Sequence, residues 1–145
     1  MTLTKTDLYE TDFYQWLETT AQLLQAGKFQ ELDIENLAEE VKALGRSEKR
    51  AVRSNLVVLL VHLLKWRYQP GFRSNSWRYT ILEHHKRLTR YLAESPSLKP
   101  YYMEIFAECY QDAREGAAAE TGLDITNFPE KPPLTPSEAL DATFD

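Results

Sequence analysis

The sequence predicts an all-α protein, a single compact helical bundle of about five main helices with a buried central helix and a proline-rich C-terminal strap ending in a short helix. Three observations predict it. Apolar residues recur at helical spacing through most of the chain. The run from Leu56 to Trp66 leaves almost no polar side on a helix, and a helix apolar all round is a buried one. Gly and Pro, 5 and 7 in 145 residues, fall mainly at the edges of the periodic segments, where chain breaks belong.

The elements follow in order. Residues 1–10 carry Thr and Asp suited to turns and are expected to be frayed. From Thr11 or Asp12 the spacing becomes helical, with Phe13, Trp16, Leu17, Thr20 and Leu24 on one side. Gly27 ends this helix, because a residue without Cβ enters the left-handed C′ conformation cheaply. After a connector, Lys28 to Leu32, Asp33 serves as N-cap with Glu35 near the positive helix end. Ile34, Leu37, Val41 and Leu44 form the next stripe. Gly45-Arg46-Ser47 is expected to stop that helix, so the central one runs from about Glu48 to Tyr68, where Pro70-Gly71 ends it.

Ser74-Asn75-Ser76 offers N-caps for a fourth helix, about Trp77 to Glu94, with Trp77, Ile81, His84, Leu88, Tyr91 and Leu92 as its stripe. Ser95-Pro96-Ser97 breaks the chain. A fifth helix runs from about Leu98 to Thr121 with Gly122 at C′. Its stripe passes from Tyr102, Ile105 and Phe106 through Cys109 to Ala113, Gly116 and Ala117, so a neighbouring helix can approach the small end. In the tail, 123–145, Phe128-Pro129 and Pro132-Pro133 impose extended backbone. Thr135 to Glu138 has capping-box spacing ahead of a short helix, about Pro136 to Ala142. Phe128, Leu134, Leu140 and Phe144 are the expected anchors of a tail wrapped on the bundle.

At this length one domain, 1–145, buries enough surface to need no disulfide or metal. The single Cys109 fits a reducing cytoplasm. Met1 to Glu10 lacks the pattern of a signal peptide, and the longest apolar run is about half of what a bilayer core requires. Charge is segregated along the chain: −7 over 1–41, +10 over 42–90 and −8 over 91–145. Either the acidic helices neutralise the basic middle within the fold, or part of it stays open to a phosphate-bearing partner.

Three constellations carry potential chemistry. Asn55, His62, Lys65 and Gln69 share one side of the central helix, and polar groups inside an apolar helix need partners. A carboxylate from Glu39, Glu40 or Glu120 would orient His62 as a base, making His62, Lys65 and Glu40 the catalytic candidates. The alternative is a structural His62–Glu hydrogen bond that fixes helix register. A metal site would draw on His62, His84 or His85 and Glu39 or Glu40, although no Glu-x-x-His or His-Glu-x-x-His pair is present and His84 and His85 leave a helix on different sides. In the third, aromatics interleave with cations from Lys65 to Arg90, and Lys65, Arg67, Arg73, Trp77 and Arg78 are the nucleic-acid candidates. Arg78 and His84 also have the spacing of helical ribonucleases of the HEPN type, with Tyr79 out of pattern. The alternative is a connector whose aromatics pack inward and whose cations pair with the acidic helices. Cys109, on an apolar stripe, reads as a core residue, and no phosphate loop or nucleophile elbow occurs.

The stretches Tyr9-Glu-Thr-Asp-Phe-Tyr-Gln-Trp16, Asp33-Ile-Glu-Asn-Leu-Ala-Glu-Glu40, Leu44-Gly-Arg-Ser-Glu48, His62-Leu-Leu-Lys-Trp-Arg-Tyr-Gln-Pro70, Ser76-Trp77, Ser95-Pro-Ser-Leu98 and Glu120-Thr-Gly-Leu123 have a common likeness. Through them the chain, over nearly its whole length, resembles the bacterial domain-of-unknown-function family number twenty-nine, common in cyanobacteria. The resemblance implies an α-helical cytoplasmic protein and lends no catalytic residue. His84 stands where a polar, often amide, residue is expected, which counts against it as a shared ligand, and Pro133-Leu134-Thr135 replaces the more usual Pro-Tyr-Thr. The expectation for function is a non-enzymatic helical interaction module, with a protein partner or a homo-oligomer, no cofactor and no membrane. Nucleic-acid binding or cleavage through residues 42–90 and metal-assisted hydrolysis around His62 are the alternatives.

Overall fold

The computed structural model describes residues 5–141, and these form helices joined by short turns, with no strand among them. The helices are α1 (Lys5–Thr11), α2 (Phe13–Gln25), α3 (Ile34–Tyr68), α4 (Asn75–Glu94), α5 (Lys99–Thr121) and α6 (Pro136–Leu140). Single 3-10 turns at Phe29–Glu31, Pro70–Phe72, Pro96–Leu98 and Ile125–Asn127 mark the connections. The all-α expectation holds. The anchor Phe144 and the last expected helical residue, Ala142, lie outside the described residues. The chain divides into two compact units, Met1–Arg46 and Ser47–Asp145.

In the first unit, α1 replaces the fraying expected for residues 5–10. Local composition missed it because the tie is tertiary: the Tyr9 hydroxyl donates to Glu40 Oε1, 31 positions away. The Tyr9 ring also meets Trp16 edge-on at 4.9 Å and Phe13 at 5.7 Å. Asp12 caps α2 by accepting from the Gln15 amide at 3.1 Å. Gly27, at φ 72°, closes α2 as expected, with Lys28 N–H reaching Leu23 O and Gly27 N–H reaching Leu24 O, the paired bonds of a Schellman end. Trp16, Thr20 and Leu32 are buried. Asp33 caps α3 through the Asn36 amide.

The expected stop at Gly45 does not occur, and α3 runs unbroken from Ile34 to Tyr68. Gly45 has no positive φ, and one glycine costs a helix only about 1 kcal/mol relative to alanine. Good helix formers flank it, and Arg46 donates to Glu39 at 2.9 Å along the helix. A Cβ built at position 45 meets nothing within 4 Å. Gly45→Ala is therefore expected to raise helicity and stability by about 0.5–1 kcal/mol, read from far-UV circular dichroism and the thermal midpoint.

The second unit holds one apolar core. Val52, Leu56, Leu59, Leu60, Leu63 and Leu64 from α3 join Ile81, Leu88 and Leu92 from α4 and Tyr102, Ile105, Phe106, Cys109, Tyr110, Ala113 and Ala117 from α5. The tapering stripe on α5 has the expected effect: a Cβ at Gly116 would stand 3.2 Å from Val61 Cγ2, so the helices approach where no side chain intervenes. Gly122, at φ 73°, ends α5.

The tail packs on this core through Phe128, Leu134, Ala139 and Leu140. Its four prolines lack N–H groups and its extended backbone makes no ladder, so its carbonyls need donors from elsewhere. Tyr102 Oη donates to Pro136 O at 2.6 Å, Arg114 Nε to Phe128 O at 3.0 Å and Gln111 Nε2 to Glu130 O at 3.1 Å. The Tyr110 hydroxyl reaches Pro129 O, and His85 Nε2 reaches Leu140 O. Both halves of the Thr135–Glu138 capping box form.

Candidate functional site

The polar side of α3 within the second unit is resolved residue by residue. Asn55 is buried and its amide donates to Ala51 O at 2.7 Å. His62 Nδ1 lies 2.9 Å from Val58 O, which places the ring proton on Nδ1 and leaves Nε2 with its lone pair. His84 on α4 repeats the arrangement with Thr80 O at 2.9 Å. The expected carboxylate on His62 is replaced by a carbonyl of its own helix, four residues back. Lys65 takes the carboxylate instead: its Nζ sits 2.9 Å from Glu120 Oε2 and 4.7 Å from the Trp77 ring centroid. Lys65 is only 8% exposed, whereas the Glu120 side chain is 51% exposed, so solvent screens one end of the pair. Glu39 and Glu40, the other expected partners, bind Arg46 and Tyr9 in the first unit.

Burial pushes the His62 pKa below its ordinary 6.5, and Lys65 and His84 act in the same sense against an opposing contribution from Glu120 and the Val58 carbonyl. The folded chain thus binds the His62 proton less readily than the unfolded chain. Stability is full above the unfolded pKa and falls as pH drops below it, until the folded pKa is passed. Urea midpoints between neutral pH and about pH 5 should show a shallower acid loss in His62→Leu than in the wild type. Equal slopes would remove His62 from the account.

No group of three His, Cys, Asp or Glu among the described residues is arranged to hold a metal ion, so the candidates His62, His84 and Glu39 are not assembled into a centre. Cys109 is buried, and burial pushes its thiol up to about 11, the opposite of an activated nucleophile. His85 is half-buried and bonded to the tail rather than free on the surface.

Part of the basic stretch is engaged inside the fold. Arg53 of α3 reaches Asp112 at 2.7 Å and Glu108 at 3.2 Å on α5. Arg73 donates to Trp66 O at 2.9 Å and lies 4.7 Å over its ring. Trp77 is half-buried under Lys65, Arg67 is half-buried and Arg78 is exposed, so the five nucleic-acid candidates do not form one open cationic face. Exposed cations outside that candidate set lie on α3, at Lys42, Lys49 and Arg50, and on α4. Lys86, Arg87 and Arg90 line a shallow groove of about 560 Å³ with Tyr79, Leu82 and Glu83, and Arg87 is paired with Glu83.

The largest departure from expectation lies in the first unit. Of the α2 stripe only Trp16 and Thr20 are buried, while Phe13, Leu17 and Leu24 face solvent. At the start of α3, Ile34, Val41 and Leu44 are 59%, 61% and 69% exposed, with Leu37 half-buried between them. Periodicity placed these residues on one face correctly. It carries no information about what covers that face.

With this geometry, the family described as "Domain of unknown function DUF29" matches residues 8–145. The chain belongs to this family. No curated protein and no solved structure matches this DUF29 chain. No helix among its described residues is long and apolar enough to cross a membrane.

Proposed function

We propose that this DUF29 chain is a non-enzymatic helical interaction module whose binding surface is the apolar face of the first unit. The observation that carries the reading is the solvent exposure of Ile34, Val41 and Leu44, three large aliphatic side chains aligned on one face of a helix. An exposed apolar row on a soluble surface marks a place where another protein buries it. Each such side chain gains about 1.5–3 kcal/mol on full burial, enough in sum for a specific contact. The catalytic alternatives draw less support, because His62 is oriented by a backbone carbonyl and Cys109 is sealed. Phosphate binding draws less as well, since two of its named candidates are engaged, Lys65 with Glu120 and Arg73 on Trp66.

A photoreactive benzoylphenylalanine in place of Val41, irradiated in living cells, tests the reading. The expected product is a covalent adduct to one defined protein, identified by mass spectrometry. Irradiation that yields no adduct above the level seen at exposed Glu104 would sink it.

A further inference from the structure

The row on α3, exposed at Ile34, Val41 and Leu44 and half-buried at Leu37, has the spacing of a coiled-coil seam. Ile34, Leu37, Val41 and Leu44 are separated by three, four and three residues, so they occupy successive a, d, a and d positions of two heptads. The β-branched residues Ile34 and Val41 fall at a, and Leu37 and Leu44 fall at d. That distribution favours two parallel strands over other assemblies. Glu39 and Arg46 fall at f, on the side away from the seam, and there they pair with each other at 2.9 Å.

We propose that this face is occupied by a second copy of the chain, the two α3 segments pairing in parallel and in register from Ile34 to Leu44. The proposal rests on the interaction-module reading and names its partner. Charge selects the orientation. In the parallel register the g residue Glu40 faces the e residue Gly45 of the other copy, and the remaining helical e position is Ala38, so no like charges meet across the seam. An antiparallel pair would bring Glu40 close to Glu40 of the other copy. The small side chains at e also let the two helices approach.

Length sets the strength. The next a position is Glu48, which would face its own copy, so the zipper closes after two heptads. A free peptide of that length would not hold together, because nucleating a helix is unfavourable. Here α3 is already helical from Ile34 to Tyr68, so association orders side chains only. Four layers bury less than the roughly 800 Å² per partner of a standard interface. The dimer is therefore concentration-dependent, and dissociation is fast.

Sedimentation equilibrium on the full chain, from low micromolar to near-millimolar concentration, should show mass rising from monomer to dimer. Val41→Asp should raise the dissociation constant at least ~100-fold, because each copy loses a buried side chain and places a carboxylate in the seam, with circular dichroism unchanged. Leu44→Cys supplies an independent reading, since d residues face each other across a parallel seam and should oxidise to a disulfide-linked dimer. The native thiol at Cys109 is buried and does not compete. A wild-type chain that stays monomeric throughout overturns the proposal. So does an Ile34→Cys and Leu44→Cys mixture that cross-links while Leu44→Cys alone does not, the signature of antiparallel pairing. A position-41 photoadduct to a different protein overturns self-pairing and leaves the module reading standing. Absence of any adduct overturns both.

Discussion

Replacing Leu59 with alanine lowers the free energy of unfolding by about 2–5 kcal/mol, while Leu44→Ala, in the monomer, changes it by no more than about 0.5 kcal/mol. Both are leucines on α3. Leu59 is fully buried in the core of the second unit, among side chains of α4 and α5. Its truncation removes transfer energy and leaves a cavity that close-packed neighbours fill only in part. Leu44 is mostly exposed and loses little. Urea unfolding at a concentration where the chain is monomeric decides the matter, and comparable losses at the two positions would show that the first half of α3 is covered within the chain.

Phe128→Ala is expected to cost about 3–5 kcal/mol, with the second unit left folded but its tail loosened. Phe128 is buried, its ring meets Tyr68 edge-on at 6.0 Å, and its carbonyl accepts from Arg114. Removing the ring opens a cavity beneath the strap and frees the segment on either side. A protease specific for glutamate should cut after the exposed Glu130 much faster in the variant than in the wild type. A tail equally resistant in both would mean that its hydrogen bonds to α5, rather than Phe128, hold it in place.

Much of the fold was legible in the sequence because its determinants are local. Asp12, Asp33, Ser74 and Thr135 cap helices through amides three residues on, and Gly27 and Gly122 close two helices at positive φ. The run from Leu56 to Leu64 lies in the core as its composition demands, and the basic middle is met by acidic residues of α5 at Arg53 and Lys65. The failures are tertiary or cumulative. Gly45 resembles a stop when read alone, but the residues around it outweigh one glycine. The helix α1 is held by Tyr9 on Glu40, a contact with no sequence pattern. His62 was expected to recruit a carboxylate because a buried imidazole needs a partner. It found one in Val58 O, an acceptor that every helical residue four places back supplies. The faces of Phe13, Leu17 and Leu24 and of Ile34, Val41 and Leu44 were grouped correctly, yet periodicity groups residues without saying whether the fold covers them.

The side-chain donors that hold the proline-rich tail also set an order of assembly. Helical bonds join residues four apart, whereas Arg114, Tyr110 and Tyr102 reach tail carbonyls 14, 19 and 34 positions away. The loop-closure entropy of those longer links falls due only when α5 offers a finished surface. The strap therefore forms after the helices it lies on. Amide protons of 123–141 should accordingly exchange with solvent before those of α3 and α5 at the core.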